Sequence, residues 1–101
     1  MILVRDVFRL KFGHAKQAKE LLKEGYEINK KEGYGKNKSR ALTDLVGQSY
    51  TLVLESTFDS LSDYEAEMKD TFKSDDWKKW YPKFAEHAES GYREIFNIIE
   101  F

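Results

Sequence analysis

The sequence predicts an α+β fold of the split β-α-β type, with both helical regions on one face of a four-stranded antiparallel sheet. Apolar residues alternate with period two over four separate runs, and they recur at helical spacing over the segments between. The two periods follow one another in the order β-α-β-β-α-β, with an elaborated second helical region. A chain of 101 residues removes only about 60 to 65 % of its unfolded surface from water, so it forms one domain, 1–101, with one modest core.

The first strand runs from Ile2 to Phe12, with Ile2, Val4, Phe8, Leu10 and Phe12 on one side and Leu3, Arg5, Val7, Arg9 and Lys11 on the other. Gly13 ends it. Ala15, Ala18, Leu21, Leu22, Gly25 and Ile28 then mark an amphipathic helix, which Gly33 and Gly35 are suited to stop. Ser39 to Val46 and Tyr50 to Phe58 form a hairpin around Gly47, Gln48 and Ser49. Ser62 with Glu65 resembles a capping box, and Leu61, Tyr64, Met68 and Phe72 follow the helical period. Ser74 caps a third segment, with Asp75 and Asp76 at the helix end that favours anions, and Trp77, Trp80, Tyr81, Phe84 and Ala88 on one stripe. Pro82 lacks an amide hydrogen and its ring opposes the carbonyl of Lys78, which predicts two pieces that meet near Tyr81. After Gly91, Tyr92 to Phe101 closes the chain as a strand.

Composition excludes several functions. Seventeen Lys and Arg against eighteen Asp and Glu leave a net charge of −1, without the basic excess that binding to a phosphate backbone requires. Nucleic acid is not an expected partner. The absence of cysteine removes thiol catalysis, thiolate metal sites and disulfides together. No apolar run has the length of a signal-peptide core or a membrane span, so the expected location is the cytoplasm, away from membranes. The helix face carrying Lys16, Lys19, Lys23, Lys30 and Lys31 among Glu20, Glu24, Glu27 and Glu32 is a solvated surface.

With both helical regions on one face, the other sheet face is left bare although it carries Leu3, Val7 and Val53, and the last strand is apolar on both sides. A second copy packed sheet against sheet is the simplest cover, which predicts a homodimer. The charged set Arg5, Arg9, Lys11 and Glu55 falls on that face by parity, where it suits ion pairs at the interface.

The layout resembles that of the ferredoxin-like dimeric α/β-barrel superfamily, which includes NIPSNAP-type proteins and antibiotic-biosynthesis-type monooxygenases. Leu10-Lys11-Phe12-Gly13-His14 is similar to the strand, glycine turn and helix that open these domains. Ser74-Asp75-Asp76-Trp77 resembles the acidic-then-Trp segment of NIPSNAP-type domains, and Gly91-Tyr92-Arg93-Glu94-Ile95 resembles their Gly-x-Arg-Glu entry to the last strand. The resemblance implies a cleft between sheet and helices that holds a small hydrophobic or aromatic ligand. Heme-degrading relatives use a strand Asn, a helix Trp and a His ligand; Asp6 stands at the first position, and Trp77 and His87 do not match the others. The resemblance therefore does not extend to heme, and no cofactor is expected.

Asp6, between Val4 and Phe8 on the apolar side of its strand, is a candidate general base, because desolvation would disfavour its charged form; the alternative is a carboxyl satisfied by an Arg, a backbone group or a dimer contact. Asp44, between Leu42 and Val46, has a similar pattern, and the two could form a paired acidic site. His14 begins the first helix, and His87 lies two turns beyond Trp80 as a second candidate for proton transfer. No His-x-x-x-His or His-carboxylate spacing within one element supports a metal. Tyr64, Phe72, Trp77, Trp80, Tyr81 and Phe84 read as core packing or as a stacking wall for a flat ligand. Three classes stay open: a ligand-binding or regulatory module, a cofactor-free monooxygenase acting on an aromatic substrate, and a structural dimerisation domain.

Overall fold

A computed structural model describes residues 1–31 and 39–101. The elements run β1 (Ile2–Leu10), α1 (Ala15–Lys31), β2 (Ser39–Thr43), β3 (Thr51–Phe58), α2 (Leu61–Lys73), α3 (Asp75–Ala85) and β4 (Ala88–Asn97). The strands pair antiparallel in the order β2-β3-β1-β4, a ferredoxin-like α+β arrangement. Among the described residues no helix is long and apolar enough to cross a membrane.

Alternation along β1 decides which face the helices cover, because successive side chains point to opposite sides. Ile2, Val4 and Leu10 are buried, and so are Leu52 and Phe58 of β3 on the same face. The core has two parts. Ile2, Val4, Phe58 and Tyr64 form one cluster, with Met68 against it. Leu10, Ala18, Leu52 and Phe84 form the other, joined by Phe8, Leu22 and Trp80. Ala18 is fully buried, and its small side chain lets α1 lie close to the sheet.

Helix ends follow local hydrogen-bond chemistry. Gly13 takes a φ of 84°, a left-handed conformation that glycine adopts without steric cost, and the amide of His14 donates to the carbonyl of Lys11 before α1 begins. Ser74 accepts from the amide of Trp77 at 3.1 Å and so caps α3, with Asp75 and Asp76 in its first turn. The cap of α2 is Ser60, which accepts from the amide of Asp63 at 3.2 Å; the predicted box of Ser62 and Glu65 lies inside the helix instead.

Other expectations are corrected as well. β1 ends at Leu10, and Phe12 is exposed in the turn with its ring on Tyr50, centroids 4.8 Å apart. β2 stops at Thr43, so Asp44 is a turn residue whose carboxylate Oδ1 accepts from the amide of Thr51 at 3.0 Å. An Asp side chain bonded to nearby backbone satisfies a turn better than a ladder. α3 runs unbroken through Pro82. Proline forfeits a single amide bond there, only three residues before the helix ends, and buried Phe84 holds the last turn against the sheet. β4 begins at Ala88 and contains Gly91, because a Cβ at residue 91 would lie 2.8 Å from Cδ1 of Phe8. The helix stop predicted at Gly33 and Gly35 lies outside the described residues.

The face away from the helices carries Leu3, Val7 and Val53 in the centre, with Tyr92 and Phe96 of β4 opposite Val7 and Leu3. Across it runs a charge ladder, Arg40–Glu55–Arg5–Glu94, with contacts of 2.7, 3.4 and 3.9 Å. Each member stands directly opposite the next on a neighbouring strand, the arrangement in which opposite charges stabilise a sheet. Glu55 is buried between its two arginines. Lys11, expected on this face, lies in the turn after β1.

Candidate functional site

Between the two core clusters lies a cavity of about 210 Å³, bounded by the sheet, α1, α2 and α3. It exists because β1 interrupts its apolar side once. Val4 belongs to one cluster and Phe8 to the other, and between them Asp6 carries a carboxylate instead of a side chain that would fill the gap.

Asp6 is opposite Leu54 of β3 and Arg93 of β4. Its Oδ1 accepts from Nε of Arg93 at 2.5 Å. Of the two readings of Asp6, a desolvated general base and a carboxyl satisfied by an Arg, the pairing matches the second, with 25 % of its side chain exposed and 48 % of that of Arg93. Burial pulls the guanidinium pKa down; the hydrogen bond and charge of Asp6, with smaller contributions from Tyr64 and Tyr81, more than reverse this and leave it raised. The guanidinium also sits 5.8 Å from the ring centroid of Tyr64, a cation–π distance.

Aromatic side chains form the walls. Trp77 stacks on Tyr81 with centroids 4.8 Å apart and planes at 17°, and Phe72 meets Trp77 edge-on at 5.2 Å. Trp80 stacks on Phe84 at 5.3 Å and donates its indole N–H to the carbonyl of Leu21 at 2.6 Å. That bond fixes the ring over α1, where residue 25 must be glycine: a Cβ there would lie 2.7 Å from Cζ2 of Trp80. Tyr64 is buried, and among the described residues its hydroxyl has no hydrogen-bond partner. Desolvation raises its pKa first, Arg93 lowers it and Asp6 raises it again, for a net upward shift; burial raises that of Tyr26 on α1.

Of the residues singled out in the sequence, Asp6, Tyr64, Trp77, Trp80 and Tyr81 line the cavity together. Asp44 and His87 do not. Asp44 closes the β2–β3 turn, so the paired acidic site with Asp6 does not form. His87 follows α3, and its Nδ1 lies 2.9 Å from Nδ1 of His14, one ring donating and the other accepting. Lys11 ties both backbones, accepting from the amide of His14 and donating to the carbonyl of His87. The pair clamps the start of α1 to the end of α3 and leaves His87 outside the cavity. Among the described residues no three His, Cys, Asp or Glu side chains gather as a metal site.

Arg93, like Glu67, is a charged lining residue that sequence reasoning did not assign to the site. Its parity with Gly91 and Ile95 carried the signal, but a strand apolar on both sides hides which face is inward. Only the register Asp6↔Arg93 reveals the pair.

Solved structures share this fold. A NIPSNAP domain protein from Burkholderia xenovorans superposes with a TM-score of 0.88 at 16 % identity, covering 100 % of this chain and 97 % of its own. A NIPSNAP family protein of unknown function from Agrobacterium tumefaciens gives 0.89 at 22 %, covering 100 % and 90 %. A putative antibiotic biosynthesis monooxygenase from Nitrosomonas europaea gives 0.75 at 16 %, covering 99 % and 100 %. No family model matches the sequence, and no curated protein matches it. The likeness establishes the fold that the sequence motifs implied.

Proposed function

We propose that this chain is a ligand-binding module that works as a homodimer and holds a small, flat, apolar or aromatic molecule between its sheet and its helices. The observation that carries the reading is the cavity of about 210 Å³ at the point where the core divides, walled by Phe72, Trp77, Trp80 and Tyr81 and floored by one ion pair. Pockets with apolar walls and a few placed polar groups are the usual form of small-molecule sites. A cavity of about 150 Å³ elsewhere takes benzene, so this one has room for a ring with a few substituent atoms. A purely structural dimerisation domain would have no need of such a space.

Native mass spectrometry of the purified protein, followed by tryptophan fluorescence titration with one-ring aromatic compounds, tests the proposal. Bound aromatic-sized mass, or saturable quenching at stoichiometric occupancy, is the expected outcome. No saturable binding by any compound of that size would overturn it.

A second reading, a cofactor-free monooxygenase acting on an aromatic substrate, is favoured by the presence of the Asp6 carboxylate on the cavity floor. The Arg93 pairing weighs against Asp6 as a base, since its Oδ1 is already engaged by the guanidinium, and His87 lies elsewhere. Oxygen consumption with the same compounds separates the two readings: the binding module consumes none, whereas a monooxygenase would consume it and lose the activity in Asp6→Ala.

A further inference from the structure

The Asp6–Arg93 pair is more than a plug in the gap of the core, and what it can recognise follows from its charge and its unused hydrogen-bonding capacity. The inference rests on the cavity being a ligand site. At the cavity floor Asp6 and Arg93 form an ion pair with no net charge. The floor is therefore not positive. An anionic ligand set on it would trade its hydration for a neutral neighbourhood, which disfavours carboxylates and phosphates.

Hydrogen-bonding capacity points the other way from an entirely apolar ligand. A guanidinium has five N–H donors and a carboxylate about four acceptor positions. One ion pair uses at most two of each, and among the described residues neither Asp6 nor Arg93 has another hydrogen-bond or ion-pair partner. At least three donors and two acceptor positions are left over, on side chains that keep 48 % and 25 % of their surface accessible. The Tyr64 hydroxyl is buried, so at the floor it is the pair that offers a ligand hydrogen bonds. Donor and acceptor are held side by side at the cavity floor, and the complementary edge is one that also has acceptor and donor side by side and no net charge.

We propose that the cavity selects an uncharged aromatic compound with an amide- or lactam-type edge, its carbonyl accepting from Arg93 and its N–H donating to Asp6, with the ring between the aromatic walls. Benzamide, benzoate and toluene share one ring and differ only in that edge, so they isolate it. Titrated by tryptophan fluorescence at pH 7, benzamide is expected to bind about tenfold more tightly than either of the others. In Asp6→Asn, checked for folding by circular dichroism, the site gains positive charge and loses its carboxylate acceptor, and benzoate is expected to overtake benzamide.

Equal binding of benzamide and toluene, or tighter binding of benzoate by the unaltered protein, would overturn this inference while leaving the cavity a ligand site. Failure of all three to bind would overturn this inference, and the ligand-site reading falls with it when no other one-ring compound binds either. Should Asp6→Asn not fold, the ranking of the three compounds on the unaltered protein still decides the question.

Discussion

Tyr64 shows how much a single side chain can be at odds with its surroundings. Its hydroxyl is buried without a partner among the described residues, and an unsatisfied buried polar group costs about 1–3 kcal/mol. Tyr64→Phe keeps the ring contact with Phe58 and is expected to raise stability by about 1 kcal/mol in urea unfolding. The same residue sets a pH dependence. Burial lifts its pKa in the folded chain above the ordinary tyrosine value of 10.0, as it does that of Tyr26, so above pH 10 the unfolded chain has lost protons that the folded chain retains. The stability slope with pH is then negative. Stability is expected to be fully present below pH 10 and to decline as pH rises through and beyond it, less steeply in Tyr64→Phe; thermal melts from pH 8 to 11 check both. Neither the buried hydroxyl nor the Arg93 contact was legible in the sequence, because Tyr64 reads there only as one more aromatic on a helical stripe.

At the scale of elements, one serine serves two helices. Ser74 closes α2 by donating its amide to the carbonyl of Thr71, and it opens α3 by accepting from Trp77. The cap was legible from the Ser-Asp-Asp pattern, since short polar side chains and acidic first turns are local chemistry. Ser74→Ala is expected to cost about 1 kcal/mol of stability, and because Trp77 lies one turn beyond, a red shift of tryptophan emission should accompany the loss. The Ser62 box and the Pro82 break failed for a common reason. Both were rules of isolated helices, and here Ser60 is better placed to cap while tertiary packing of Phe84 carries α3 past its proline.

The molecule is asymmetric: among the described residues, helices lie over one sheet face and none over the other. Tyr92 and Phe96, exposed beside Val7 on the open face, form an apolar surface crossed by the Arg40–Glu55–Arg5–Glu94 ladder, while Val53 on the same face is already buried in the single chain. A second copy packed on this face would bury Tyr92 and Phe96 and the exposed members of the ladder, Arg40, Arg5 and Glu94, which is the basis for the proposed homodimer. Phe96 is 45 % exposed in the single chain, so Phe96→Asp is expected to be tolerated by the fold while converting dimer to monomer in light scattering. A monomeric unaltered protein would sink the dimer proposal.

The sequence by itself determined the type and order of the elements, the bare sheet face and the aromatic stripe of α3, because period-two and helical spacing are local properties of the chain. Tertiary structure alone decided that Asp6 meets Arg93, that Asp44 belongs to a turn, that His87 pairs with His14, and that Glu55 is held by Arg40 as well as Arg5. Each of those depends on strand register or on where an element stops. A slip of one residue moves every side chain to the opposite face, and that choice is made by the packing of distant segments, which the pattern of neighbours along the chain does not contain.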